Sequence, residues 1–352
     1  MTKILLIIVF IFAGCTKKSS LKQAYLEPFR NLANDALVLV FSSNMEGYIE
    51  PCGCTSNPLG GIDRFSTLIN QITTLIHKPL VIDTGNLFFE KPLNNEADAC
   101  QNDSKIDILL KSFNHFDTKF SLMYANDNTQ GEDYYKNKLL ANKIALLTSN
   151  SLLAQQEITH QKQKFIFLAS NKEIKAENIL LINEEIAKAK TKNPQVLVFI
   201  SHMPLEFTKD YLGTNKDIDI IIQANWSQMT PMTPVKINDN SPLIISSARQ
   251  GQYFSSLIIQ NFKNKKNNKF IFDNQLAEII EQKELIDSRI KGLENQLKSS
   301  NNKEFLSKRL QIAKKDLEVV NKKTIIPNKN ATISFDALPI TRAIDSDQHI
   351  KK

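Results

Sequence analysis

Along the first three quarters of the chain the apolar residues fall into short, largely unbroken runs. They are ALVLVF (36–41), PLVIDTG (79–85), KIALLTSN (143–150), KFIFLAS (164–170), QVLVFISH (195–202), DIDIIIQ (217–223), PLIISSA (242–248) and FSSLIIQNF (254–262). Continuous rather than alternating hydrophobicity predicts strands buried on both faces. Between some of these runs the apolar positions recur every three or four residues, as in IDRFSTLINQITTLI (62–76), SKIDILLKSF (104–113) and AENILLINEEIAKAKTK (176–192), which predicts helices. Alternation of the two predicts a layered α/β fold, with functional residues in loops just past strand ends.

From about residue 273 the pattern becomes purely helical. Ile279, Ile286, Ile290, Leu293 and Leu297 recur at heptad-like spacings; after the polar break SSNN come Phe305, Leu306, Leu310, Ala313 and Leu317. This predicts an antiparallel helical hairpin over 274–323, coiled-coil-like, with one apolar seam. Its expected role is a spacer or packing arm, the alternative being a docking surface for an envelope protein. In the closing segment, 324–352, NATISFDALPITRAI is predicted to return a last strand to the core.

The chain opens on MTKILLIIVFIFAGC: one early charge at Lys3, an apolar stretch from Ile4 to Phe12, then small residues before Cys15. That is the pattern of a secretory signal over 1–15, too short to span a bilayer as a finished helix. FAGC resembles a bacterial lipobox, which implies cleavage before Cys15, acylation of that residue and attachment to a membrane. The polar stretch over 16–35 reads as a tether, and 36–273 as the folded domain. The expected location is therefore the bacterial cell envelope, lipid-anchored and extracytoplasmic, on the periplasmic face or at the outer membrane.

Composition refines this picture in two ways. With 352 residues and 42% hydrophobic content there is ample material for a large core. The formal charge of +7 comes from scattered lysines rather than from an arginine stripe with interleaved aromatics, so nucleic-acid binding is not expected. Besides Cys15 the chain has Cys52, Cys54 and Cys100, an odd set in an oxidising compartment. A disulfide from Cys52 or Cys54 to Cys100 is the expected pairing, with connectivity open. The absence of any Cys-x-x-Cys-His sequence argues against covalent haem.

The strand-end loops carry the candidate chemistry. They are VFSSNMEGYIEP (40–51), LGGIDRFSTLI (59–69), VIDTGNLFF (81–89), FDTKFSLMYANDNTQG (116–131), VFISHMP (198–204) and IIIQANWSQ (220–228). Together they resemble the metallophosphoesterases of the calcineurin-like, 5′-nucleotidase-like kind, over roughly residues 36–262. GYIEPCGC followed by Gly60-Gly61 resembles a bacterial envelope subgroup of that superfamily. The resemblance implies a four-layer α/β/β/α sandwich, here followed by the C-terminal hairpin. It also implies two divalent metals held by carboxylates, imidazoles and an amide from five loops, which together polarise a phosphate and activate water.

Most of the ligand positions that the resemblance implies are substituted. Asn44 and Glu46 stand for an Asp-x-His pair; Asp83 and Gly85 are kept, but Asn86 replaces the bridging Asp. Asn126 and Asp127 are the nearest equivalents of Gly-Asn-His-Glu, without its His. Ser201 and His202 are kept, and Asn225 and Ser227 fill the two positions of the last His pair. Neutral amides are weak ligands and cannot neutralise two dications in one small site. The expected function is thus a catalytically degenerate protein that binds a ligand or partner through the old cleft, with no cofactor. The first alternative is an atypical metal-dependent phosphoesterase acting on extracellular nucleotides, holding one ion such as manganese or zinc through Glu46, Asp127 and His202, with Asp83, Asn86, Asn126 and Asn225 as further candidates. The second is a thiol-based metal or redox accessory protein using Cys52 and Cys54.

Overall fold

The computed structural model describes residues 25–350 except 31, 52–57, 94–95, 149–152, 171–173, 266–268, 300–301, 324–327 and 348–349. Cys15, Cys52 and Cys54, the leader and half of the expected tether (16–24 and 31) lie outside the described residues, and the described half corrects that reading, because Phe29 is buried edge-on to Phe254 of the core. Among the described residues no helix is long and apolar enough to cross a membrane.

Twelve strands are described: β1 (Leu37–Ser42), β2 (Leu80–Asp83), β3 (Phe120–Leu122), β4 (Ala145–Leu147), β5 (Ala154–His160), β6 (Gln163–Ala169), β7 (Val196–Ser201), β8 (Ile220–Gln223), β9 (Leu243–Ile245), β10 (Tyr253–Gln260), β11 (Ile271–Phe272) and β12 (Thr332–Pro339). The helices are α1 (Ile62–Leu75), α2 (Glu96–His115), α3 (Glu132–Ala141), α4 (Ile179–Thr191), α5 (Leu205–Leu212), α6 (Gln275–Ser299) and α7 (Lys303–Asn321).

One five-stranded sheet runs β11-β12-β10-β1-β2, a second β5-β6-β7-β8-β9, and β3 pairs with β4. The unbroken apolar runs have the burial they predict, every residue of β1, β2, β7 and β8 being buried. Alternate residues divide between two cores, as the two-residue period of a strand requires. Leu37, Leu39 and Phe41 of β1 join Val196, Val198 and Ile200 of β7 in one cluster, so the two sheets meet face to face. Val38 and Val40 turn the other way, onto Phe65, Leu68 and Ile69 of α1 and Leu109 and Phe113 of α2. Leu197 and Phe199 likewise face Ile182 and Ile186 of α4. The tail strand β12 pairs antiparallel with β10 over its whole length, from Thr332 opposite Gln260 to Pro339 opposite Tyr253.

The parallel pairs β1/β2 and β6/β7/β8/β9 fix where function can sit, because their loops gather at the C-terminal strand ends. Ser42 lies opposite Asp83, and Ser201 opposite Gln223, at that edge.

α6 and α7 pack against each other around Ile290, Leu293, Leu306 and Ala313. Ion pairs Arg289–Asp316 and Glu294–Lys314 cross between them, so higher numbers on one helix meet lower numbers on the other, as in an antiparallel pair. One expected seam member is corrected: Phe305 is exposed, and its neighbour Leu306 takes the buried position. Adjacent helical residues lie about 100° apart, so only one of the two can face the seam.

Candidate functional site

The loops after β1 and β2 stay laced together past their strands. Asn44 N–H donates to Gly85 O at 2.9 Å, Glu46 N–H to Asn86 O at 3.0 Å and Gly47 N–H to Leu87 O at 2.8 Å. Both loops turn through the left-handed region: φ is +51° at Asn44, +54° at Glu46 and +57° at Asn86. Asn tolerates that conformation and Glu rarely adopts it, so Glu46 is held there against its local preference. Gly85 is required by close approach, since a Cβ there would meet Tyr124 Cβ at 3.0 Å and His202 Nε2 at 3.1 Å.

Behind these loops lies an inner knot of buried polar groups. Asp83 accepts from Ser42 Oγ at 2.7 Å, Ser121 Oγ at 2.6 Å and the Gly85 N–H at 3.1 Å. Burial nonetheless pushes its carboxyl up to about 6. Asp127 is fully buried and accepts three backbone N–H groups, from Leu87 (3.1 Å), Phe88 (2.8 Å) and Tyr124 (3.1 Å). It ties the loop after β2 to the turn after β3, and burial pushes it up to about 7. His202 follows β7 with Nδ1 2.7 Å from Ser170 O and Nε2 2.8 Å from Thr84 O, and the Tyr124 ring stacks on it at 4.0 Å. Burial pulls the imidazole down to about 4 and keeps it neutral, with one nitrogen donating. The other nitrogen's lone pair faces a carbonyl oxygen rather than open space.

An outer rim stands in front of this knot. Glu46 is paired with Arg249, from the turn between β9 and β10, at 2.8 Å. The same guanidinium reaches Glu90 at 3.1 Å, which also accepts from the Tyr48 hydroxyl at 3.1 Å. Burial raises the Glu46 pKa, outweighing the opposing pull of Arg249. A cleft of about 660 Å³ opens beside this cluster, lined among others by Tyr48, Ile49, Phe89, Glu90, Lys91 and Lys105.

The amide positions are used internally. Asn44 Nδ2 donates to Ala224 O (2.9 Å) and Trp226 O (3.0 Å), bracing the loop after β8. Asn86 Nδ2 makes long contacts to Asn44 Oδ1 (3.3 Å) and Glu46 Oε1 (3.4 Å), while its own Oδ1 is buried and has no hydrogen-bond partner among the described residues. Asn126 Nδ2 donates to Glu90 O at 2.7 Å, Asn225 Oδ1 accepts from Gln223 Nε2, and Ser227 is exposed. Cys100 is exposed on α2 and has no disulfide partner among the described residues; the expected pairing with Cys52 or Cys54 involves residues outside them.

The fold therefore brings the loops bearing Asn44, Glu46, Asp83, Asn86, Asp127, His202 and Asn225 to one end of the sheets, but not as an open ligand set. Among the described residues no group of three or more His, Cys, Asp or Glu side chains could hold a metal ion. A dinuclear centre does not fit these residues: the inner carboxylates are occupied by N–H and O–H donors, and Glu46 already faces a cation. Asn86 Oδ1, without a partner among the described residues, is a single neutral donor and does not alter that. Reading the sequence for metal ligands passes over Arg249, because arginine is never one. The signal that could have found it is a lone arginine in SSARQG, at the end of an apolar run.

No family model and no curated protein matches the sequence. Solved structures match the fold. A 5′-nucleotidase precursor from Thermus thermophilus superposes with a TM-score of 0.57 at 12% identity, covering 90% of this chain and 57% of that one. The fold is a metallophosphoesterase fold. Lower TM-scores relate it to the Haemophilus influenzae NAD nucleotidase (0.49; 14% identity; 64% of this chain, 52% of that one) and to the calcineurin-like phosphoesterase YfkN from Bacillus subtilis (0.43; 14%; 82% and 99%). The metallophosphoesterase likeness is one of architecture, and the chain spans 57% of the length of the Thermus protein.

Proposed function

We propose that this chain is a lipid-anchored envelope protein in which the metallophosphoesterase fold has given up catalysis and serves as a binding module. The observation that carries the reading is that Asp83 and Asp127 already accept hydrogen bonds from their own chain, while the His202 ring is wedged between the carbonyl oxygens of Ser170 and Thr84. A metal would have to displace those bonds and would receive mostly neutral oxygens in return. The ligand or partner enters through the cleft beside Glu46, where the half-buried Tyr48 and Ile49 offer aromatic and apolar surface and Glu90, Lys91 and Lys105 offer charge of both signs.

The reading is tested by incubating the folded chain with manganese, zinc, nickel or cobalt and bis-p-nitrophenyl phosphate. The expected result is no metal-dependent release of p-nitrophenol above a metal-only blank. Hydrolysis that Glu46→Ala abolishes would establish the phosphoesterase instead.

A further inference from the structure

The helical hairpin carries a second apolar line besides its seam. On α7, Phe305, Ile312 and Val319 are each more than half exposed, although the next residues, Leu306, Ala313 and Val320, are buried. Seven residues make about two helical turns, so the three exposed side chains form one row along the helix. On α6, Leu285 is exposed, and Gly292 has open space where a Cβ would stand. Arg289 lies one turn from Leu285, and Asp316 one turn from Ile312; their ion pair at 3.8 Å places both rows on one face of the hairpin. The second inter-helix pair, Glu294–Lys314, lies on the opposite flank.

A cationic row runs beside the apolar one. Lys308, Lys315 and Lys322 each follow an apolar member by three residues, and all are exposed. Lys308 also pairs with Glu304 at 2.8 Å. On the other side Arg309 lies over the Phe305 ring at 5.6 Å. Residues 303–323 contain seven Lys or Arg against three Asp or Glu, a net +4.

We propose that this face of α7 docks on an anionic phospholipid surface, Phe305, Ile312 and Val319 entering the interface while the lysine row reaches lipid phosphates. An apolar stripe bordered by long cationic side chains is the arrangement that lies in a membrane interface. Charge argues against a second copy on the same row. Two segments of net +4 over 303–323 would be brought together, and antiparallel pairing centred on Ile312 would set Lys315 near Arg309 of the second copy. Shape argues against a protein partner, since the row is one residue wide on a convex helix, whereas binding hot spots sit in packed pockets. The inference does not depend on the cleft or on acylation of Cys15.

The test uses the chain from Thr16 to Lys352, which keeps every described residue and cannot be acylated at Cys15. Cosedimentation with phosphatidylglycerol vesicles should show binding at least about tenfold tighter than with phosphatidylcholine vesicles. The K308Q/K315Q/K322Q variant should bind phosphatidylglycerol roughly a hundredfold more weakly. F305S/I312S/V319S should lose the vesicles while circular dichroism remains unchanged, because the buried seam is untouched. No binding to phosphatidylglycerol, equal binding to both lipids, or unchanged binding in either variant would overturn the proposal. Dimerisation that F305S/I312S/V319S abolishes, without vesicle binding, would overturn it too and assign the row to a second copy.

Discussion

Asp127 and Glu46 are both carboxylates at the same end of the sheets, and they are held in opposite ways. Asp127 is sealed inside and held by three backbone N–H groups from two loops. Glu46 stands on the rim, held chiefly by a side chain, the guanidinium of Arg249, which it shares with Glu90. The inner group is part of the architecture, because removing it strands several buried donors at once. The outer group is a charge arrangement that side-chain rotation can remake. A metal centre needs carboxylates between these extremes: buried enough to bind tightly, yet with a lone pair left over.

The largest expected effect lies on the inner side. Asp127→Ala should lower the unfolding free energy in urea by roughly 4 kcal/mol, since each stranded buried donor costs about 1–3 kcal/mol and the loops relax in part. A loss below about 1 kcal/mol would remove the distinction between knot and rim.

Proton linkage sharpens the same contrast. The folded carboxyls of Asp83 and Asp127 titrate near 6 and 7 against an ordinary 3.8, so the folded state keeps protons that the unfolded chain has released. Their contribution to stability is fully present below the unfolded value and is lost as pH rises through 6 to 7. Denaturation at about pH 4.5 and about pH 8 should differ in that sense more in the wild type than in Asp127→Asn, the gap being of order 3 kcal/mol.

On the rim, Arg249→Ala leaves Glu46 and Glu90 without their shared cation and should cost about 1–2 kcal/mol. Asn126→Ala removes one exposed bond to Glu90 O and should fall within about 0.5 kcal/mol. Both values come from the same urea titration, and a reversed order would show that the rim is held by backbone rather than by charge.

Much of the framework was legible because it is encoded in runs of one polarity. β1, β2, β7 and β8 are buried on both faces, so their apolar stretches announce them. The edge strand β5, AQQEITH, did not stand out, because one of its faces is uncovered and its alternate residues lie in solvent. Helix α3, EDYYKNKLLA, buries only Tyr135 and Leu139 and offers almost no periodic signal. At the site, the family resemblance drew attention to Asp83, Asp127 and His202, and the fold brings their loops to one end of the sheets. The resemblance could not show that their polar atoms were already engaged, because the partners are backbone N–H groups and serines for the two carboxylates and backbone carbonyls for His202, which carry no motif. Arg249 was hidden for a related reason: its role depends on where β9 and β10 return the chain, 203 residues away from Glu46.

The central claim, that the knot and the Glu46–Arg249 pair leave no room for a metal, is tested most directly by stoichiometry. The folded chain is exposed to manganese, zinc, nickel and cobalt, desalted, and its bound metal is counted per chain. The account predicts none retained by wild type. Two tightly held ions per chain, lost together in a His202→Ala variant that remains folded, would contradict it and make the substituted loops a dinuclear site of unfamiliar composition.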